Sequence, residues 1–539
     1  MTLSRRDFCR NVATTAVTIP LLQACNAPGF PFRHGVASGD PLSDRVILWT
    51  RITPISDEGV IPDTLPEKIP YTWSVALDPQ MSQIISGGQG ETTLEKDYTV
   101  KIDADGLLPN TTYYYQFNAI GFASDVGRTK TLPVGHVGHI RMAFTSCSNY
   151  PYGYFNAYGA IAQRKDLDVV LHLGDYIYEY ADGEYGSGAK LGRVHAPDKE
   201  TVSLSDYRIR HAQYKTDPDL QEAHRQHPFI VVWDDHETAN NSYVDGAENH
   251  QPNSEGDWTE RKLAAIQAYF EWMPIREQMD AHGRIYRDFR FGDLVDLIML
   301  DTRIEGRDKQ IPGIGNLPGV SDPNRTLLGF EQEDWLYNKL SKSQQDGQRW
   351  RLLGQQVMVG QLGTADLAFN MDQWDGYRAN RDRLFNHIIE NEIDNIVVLT
   401  GDIHSSWATE ITPTPFRLDT YNPFTGEGAI AVEFVTPGVT SPGIPDKAAA
   451  ALVSASLNTA LPHVKYTDFF HRGYVLLDIT HERTQAEWHV FEDVEQRSNR
   501  SEFKRAYRTY SGENHLTRIF RESDEKQHAP DLAPAFSLV

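Results

Sequence analysis

Val169-Val170-Leu171-His172-Leu173-Gly174-Asp175-Tyr176-Ile177-Tyr178 decides the fold. A short, continuous apolar run that meets a glycine turn reads as a buried strand. An aspartate follows at once, and ligand-binding residues collect just past strand ends in α/β sheets. Moving outward, the pattern recurs. Residues 140–145 run into Ser146-Cys147-Ser148-Asn149, and residues 229–233 into Asp234-Asp235-His236-Glu237, followed by Asn240-Asn241. Residues 294–300 run into Asp301-Thr302-Arg303, and residues 396–400 into Gly401-Asp402-Ile403-His404. One aspartate after a strand is most often a turn former. Five strands in series that end on Cys, Asp, Tyr, Asn or His point to a metal centre.

Helical stretches at 260–272 and 381–392 alternate with these strands, which predicts an α/β domain with buried sheets from about residue 139. Residues 464–495 return to strand-like alternation and complete a sheet. Residues 30–135 read as all-β, with strands at 44–51, 71–76, 98–102 and 113–117 separated by turn residues. Leu107-Leu108-Pro109-Asn110-Thr111-Thr112-Tyr113 resembles the tyrosine corner of a fibronectin-III-like sandwich. Residues 131–135 serve as a linker. Residues 501–539 are expected to form a terminal helix and a loose tail.

The chain of 539 residues is too long for one core, and 40% of it is hydrophobic. It carries 51 basic and 74 acidic side chains, a net charge of −23. That balance argues against sequence-specific nucleic acid binding, which needs clustered Lys and Arg. A phosphate ester is still admissible, because a buried cation inverts the local field.

Ser4-Arg5-Arg6-Asp7-Phe8 precedes a mild apolar run at 12–22, which is too short to span a bilayer. A basic head before a short apolar stretch is twin-arginine signal chemistry, so residues 1–26 are set aside as a signal read by the twin-arginine translocase. The alternative is a frayed helix. Leu22-Gln23-Ala24-Cys25 resembles a lipoprotein cleavage box with Cys25 as a lipid anchor. A soluble secreted or periplasmic protein is the other outcome. Of the three cysteines, Cys147 alone remains in the mature body, so no intramolecular disulfide forms there. It is either a small buried hydrophobe or a ligand.

The motifs HLGDYIYEY at 172–180, WDDHE at 233–237 and TGDIHSSW at 400–407 together resemble the PhoD-type alkaline phosphatase and phosphodiesterase family of the calcineurin-like metallophosphoesterases. The likeness begins at His34-Gly35-Val36-Ala37-Ser38-Gly39-Asp40-Pro41 and runs through Leu48-Trp49-Thr50-Arg51. It implies an α/β (α+β) four-layer metallophosphoesterase sandwich over 139–500, preceded by the all-β fibronectin-III-like domain. It also implies an exported hydrolase of small phosphate monoesters or diesters that uses a metal-bound hydroxide at an Fe³⁺/Ca²⁺ centre. By this resemblance Cys147, Asp175, Tyr178 and His404 hold iron, and Asp175, Asp235 and Asp402 hold calcium, with Asn241 and Gln356 as further candidates. Asp402 stands where a histidine is usual, which favours a hard, oxygen-loving ion. His236 is expected to assist the leaving oxygen, and Arg193 to contact phosphate. Asn241 can serve metal or phosphate, while Asp301 and Arg303 orient ligands. Trp233 and Trp407 read as core or wall. A phospholipase D or nucleotide phosphodiesterase uses the same ligands, and a non-catalytic metal-binding surface protein is the alternative of another class.

Overall fold

The computed structural model describes residues 31–54, 64–277, 283–315, 318–363 and 367–534. The expected signal at 1–26, Cys25 included, lies outside the described residues. Among the described residues, no helix is long and apolar enough to cross a membrane, and the strands form sheets of ten, seven and five.

Three parallel strands lie inside the ten-stranded sheet: His139–Thr145, Val169–His172 and Pro228–Val231. Register sets Thr145 beside His172 and His172 beside Val231. The loops that follow therefore leave side by side. Val295–Met299, Trp350–Gly354, Ile396–Thr400 and Ala431–Val435 make a second parallel run in the seven-stranded sheet. Their ends are in register too, with Met299 beside Gly354 and Gly354 beside Leu399.

Side-chain alternation builds the layers. Leu297, Leu352 and Val397 face Phe144, Leu171 and Ile230 of the other sheet in one buried cluster. Their neighbours Ile298, Leu353 and Val398 point the other way. They pack on Leu336, Leu340, Leu384 and Phe385 of helices Phe330–Gln345 and Arg378–Glu390. Helices Asn156–Ala162, Leu204–Tyr214, Pro218–Gln226 and Trp258–Trp272 lie on the side of the ten-stranded sheet. The result is the expected helix–sheet–sheet–helix sandwich of four layers.

The all-β unit is also present. Tyr113, Tyr115 and Phe117 pack on Val46, Leu48 and Val100. Tyr113 Oη accepts the Leu108 N–H at 2.8 Å, the corner read from the sequence. The boundary near 135 does not separate the sheets, however. Val36–Gly39 pairs in parallel with Pro228–Val231, so Val36–Gly39, Val46–Arg51 and Thr99–Ala104 continue the ten-stranded sheet. One face of the N-terminal sandwich is thus an extension of the ten-stranded sheet. The C-terminal expectation also fails. Residues 501–539 hold strands Glu502–Tyr510 and Thr517–Ile519, which extend that sheet at its other edge. Ala506 and Tyr507 are buried there, with Tyr507 stacked on Tyr466.

Candidate metal centre

The loops after the parallel strands of both sheets converge at one rim. Cys147, Asp175 and His404 bring ligand atoms within 4.8 Å of one another, and so do Asp175, Asp235 and His236. A third group joins Asp234, Asp235 and Asp402. Asp175 belongs to the first two groups, which is the placement a bridging carboxylate needs. Tyr178 donates its hydroxyl to Asp175 Oδ2 at 2.9 Å and lies 3.2 Å from His404 Nε2.

Sharp turns aim these side chains inward. Cys147 (φ 59°), Asp175 (55°), Asn241 (53°), Asp402 (60°) and His404 (50°) all occupy the left-handed region. Each such residue costs about 1 kcal/mol or more and persists only where its surroundings hold it. Gly174 shows why its position tolerates no side chain. A Cβ there would stand 2.3 Å from Asp234 Cβ, so the two ligand loops touch through this glycine.

Two carboxylates missed in the sequence reading hold the site together. Glu237 accepts N–H bonds from Asp175 at 3.1 Å, Tyr176 at 2.5 Å and Asp234 at 2.8 Å. One side chain thereby clips the second ligand loop to the third. Burial, and next the charge on Asp175, push its carboxyl up to about 8, against the pull of the three donors. Glu179 lies 2.7 Å from His236 Nδ1 and also accepts the Asn240 N–H. Burial opposes a charged His236, but Asp235, Glu179 and Asp175 outweigh it and raise its pKa well above the usual value. Glu179 sits inside the quoted motif 172–180 and was open to recognition there.

Arg303 plays a larger part than the orienting one expected. Its buried guanidinium reaches Asp234, binds Asp402 Oδ1 at 2.6 Å, both oxygens of Asp372 at 2.9 Å, and lies 3.6 Å from Asp235. Asp301 aims it, accepting the Arg303 and Ile304 N–H groups at 2.8 and 3.0 Å. Asp372 falls in a stretch without a motif, which is why the sequence did not disclose it.

Arg193 requires a correction. The structure does not bring it to the cluster. Its guanidinium pairs with Asp217 at 2.7 Å and lies 3.6 Å over the Tyr150 ring. It braces the loop after Cys147 rather than facing a phosphate. Gln356 is corrected as well. Its amide oxygen accepts from Thr302 N and Oγ1 at 3.0 and 2.6 Å, and its amide nitrogen donates to Leu300 O. Both ends are consumed in joining strand ends. Asn241 keeps its place by the cluster, with its backbone N–H on Asp235 Oδ2 at 2.6 Å and its side chain turned to Glu248. Trp233 and Trp407 are buried, the first against Tyr269 and the second against Phe469.

The charge balance fits a metal. Asp175, Asp234, Asp235, Asp402, Glu179 and Glu237 crowd one site, all but Asp402 fully buried. Asp175 Oδ1 and Asp234 Oδ2 are buried without a hydrogen-bond partner. An orphaned carboxylate oxygen in low dielectric is costly unless a cation meets it. Burial raises Asp402 to about 7 despite Arg303. Burial also pushes the Cys147 thiol and Tyr178 phenol up, with Asp175 the next cause. A bound cation would reverse each of these shifts. The donors present, thiol, phenol, imidazole and carboxylates, are those of a metal-dependent enzyme.

The chain can now be set beside known proteins. Residues 142–488 match the family model described as PhoD-like phosphatase, and residues 21–133 match its N-terminal domain. Alkaline phosphatase D of Bacillus subtilis (strain 168) is 40% identical over 515 residues, covering 91% of this chain and 84% of that protein. A solved structure titled "Structure of PhoD" superposes with a TM-score of 0.82 at 36% identity, covering 92% of this chain and 93% of that one. Matches of that extent, spanning both the all-β unit and the ligand-bearing sandwich, place this chain in the PhoD-like phosphatase family.

Proposed function

We propose that this phosphoric ester hydrolase works with a ferric iron beside a calcium ion. Cys147, Asp175, Tyr178 and His404 would hold the iron; Asp175, Asp235 and Asp402 would hold the calcium. The observation that carries this reading is the shared position of Asp175, with a thiol, a phenol and the His404 imidazole on one side of it and, on the other, Asp235, which is itself grouped with Asp402. Phenolate and thiolate are anionic donors suited to iron, whereas an all-oxygen set suits calcium. Once bound, such a pair supplies Lewis-acid polarisation of the phosphoryl oxygens and a water acidic enough to serve as nucleophile.

The protein's own groups do the rest. Glu179 fixes the His236 ring through Nδ1 and leaves Nε2 to give a proton to the departing alkoxide. Tyr178 is held in place by Asp175 and by Ser441 Oγ at 2.6 Å. Arg472 donates to the carbonyls of His404, Pro437 and Ser441 at 2.6–2.9 Å, and so fixes the His404 turn. Arg303 balances the carboxylates of the third group, Asp234 and Asp402.

Small phosphate monoesters and diesters both suit this donor set. Rates on p-nitrophenyl phosphate and bis-p-nitrophenyl phosphate, before and after calcium chelation, test the proposal. Activity on at least one ester should vanish with chelator and return with calcium; activity indifferent to chelator would remove calcium from the scheme. Cys147→Ser is expected to lower iron content about tenfold or more while calcium stays, as metal analysis would read. Unchanged iron would make Cys147 a packing residue. The basic head Arg5-Arg6 and the run at 12–22 support export by the twin-arginine route to the periplasm or beyond, with Cys25 as a lipid acceptor. Cell fractionation tests that placement.

A further inference from the structure

A second group of metal-ligating side chains lies away from the strand ends just described. His136 stands in the segment between strands Gly127–Lys130 and His139–Thr145. Asp293 occupies the turn between Arg287–Phe291 and Val295–Met299 of the seven-stranded sheet. His481 occupies the turn between Arg472–Thr480 and Arg483–Phe491 of the ten-stranded sheet. Three segments far apart in sequence thus meet at one seam. His136 Nδ1 is 2.9 Å from Asp293 Oδ2, and His481 Nε2 is 3.5 Å from Asp293 Oδ1. The imidazoles stack with centroids 4.9 Å apart at 20°. One ligand atom from each residue lies within 4.8 Å of the others.

The backbone of Val137 organises this group. Its N–H donates to Asp293 Oδ1 at 2.9 Å, and its carbonyl lies 3.0 Å from His481 Nε2. The side chains are 76%, 43% and 28% exposed for His136, Asp293 and His481, so a hydrated ion reaches them without any opening of the fold. The group is remote from the centre. The strand that begins at His139 carries seven residues before the Cys147 loop, a span of roughly 20 Å at about 3.3 Å per residue.

We propose that His136, Asp293 and His481 form a separate site for a borderline divalent cation, with zinc the best match. Two imidazoles and a carboxylate, completed by water, are a zinc set. Calcium and magnesium require more oxygen donors than this seam supplies. Zinc–nitrogen bonds of about 2.0–2.1 Å require the rings to close in, and His481 to exchange its bond to the Val137 carbonyl for the metal. The exposure of His136 permits that movement. The chain's net charge of −23 raises the local cation concentration. A cation here would tie the inter-domain segment to a hairpin of each large sheet. It would bind the folded chain alone and so stabilise it.

The test uses the protein as isolated, dialysed against about 0.1 mM zinc chloride. Zinc, iron and calcium are counted in each sample, and phosphatase activity and melting temperature are measured. The wild type should gain one zinc per chain with iron, calcium and activity unchanged, and its melting temperature should rise by about 2 °C. His136→Ala and His481→Ala should each bind that zinc at least about tenfold more weakly and show no such rise, with activity retained. A wild type that takes up no zinc would overturn the proposal. So would zinc gained only as iron or calcium is lost, or variants that bind as much as the wild type.

Discussion

Asp175→Asn is expected to lower kcat by about 10⁴-fold or more and to leave the chain with far less than its full metal content. The factor corresponds to about 5.5 kcal/mol of lost transition-state stabilisation. Its source is the sharing of Asp175 between the Cys147–His404 group and the Asp235–His236 group. An amide offers one acceptor where two cations would need two, and it carries no charge. Unfolding would be the trivial explanation, and the electrostatics argue against it. Asp175 is among the charges that raise Asp234, Glu237 and Asp402, three buried carboxyls. Removing it relieves repulsion in the metal-free chain, while Asn can still accept the Tyr178 hydroxyl through its amide oxygen. Metal-free Asp175→Asn should therefore melt no lower than metal-free wild type. Steady-state rates, metal analysis and paired melting curves decide the matter. A variant that keeps both metals and its activity would end the bridging assignment, and a much lower melting temperature would reduce it to packing.

The strand ends could be read because buried parallel strands are nearly all apolar, so a charged or sulfur-bearing residue straight after one stands out. Cys147, Asp175, Tyr178, Asp235 and His404 were legible for that reason, and the structure brings them together. What failed depends on long-range pairing. Val36–Gly39 finds its partner at Pro228–Val231, so the shared sheet has no local signature in either stretch. The polar stretch 501–539 reads as a terminal helix and tail, and in Glu502–Tyr510 Lys504, Arg505 and Arg508 dilute the alternation of a strand whose two neighbours supply the order. Arg193 was placed at the substrate on its position between two motifs. Position in sequence could not show that Asp217 and three aromatic rings, Tyr150, Tyr154 and Phe155, already surround it. Arg303 gave the opposite error, since the four aspartates it meets come from three different loops.

Glu237→Gln should cost about 10²–10³-fold in kcat/KM although Glu237 is not among the proposed ligands. Its two oxygens accept three backbone N–H groups from the loops that carry Asp175 and Asp235. A glutamine keeps one acceptor oxygen and turns an NH₂ toward the remaining donor. That leaves a buried N–H facing another donor, a loss of about 1–3 kcal/mol. The Asp175 and Asp234 backbones would draw apart at the point where Gly174 holds them in contact. Misplacing a catalytic group by about 1 Å costs on the order of 10²-fold, and lost support around a ligand costs about 10–100-fold in metal affinity. The raised pKa of Glu237 does not make glutamine a harmless mimic. That rise comes from burial and then from the charge on Asp175. A cation against Asp175 opposes the second cause, and the three donors favour the charged form of Glu237. The decisive comparison is between the variant as isolated and the variant in excess metal. If the clip positions the ligand loops, excess metal should restore metal content but only part of kcat. If Glu237 merely fills space, the melting temperature will fall while the rate per metal-loaded centre stays at the wild-type value.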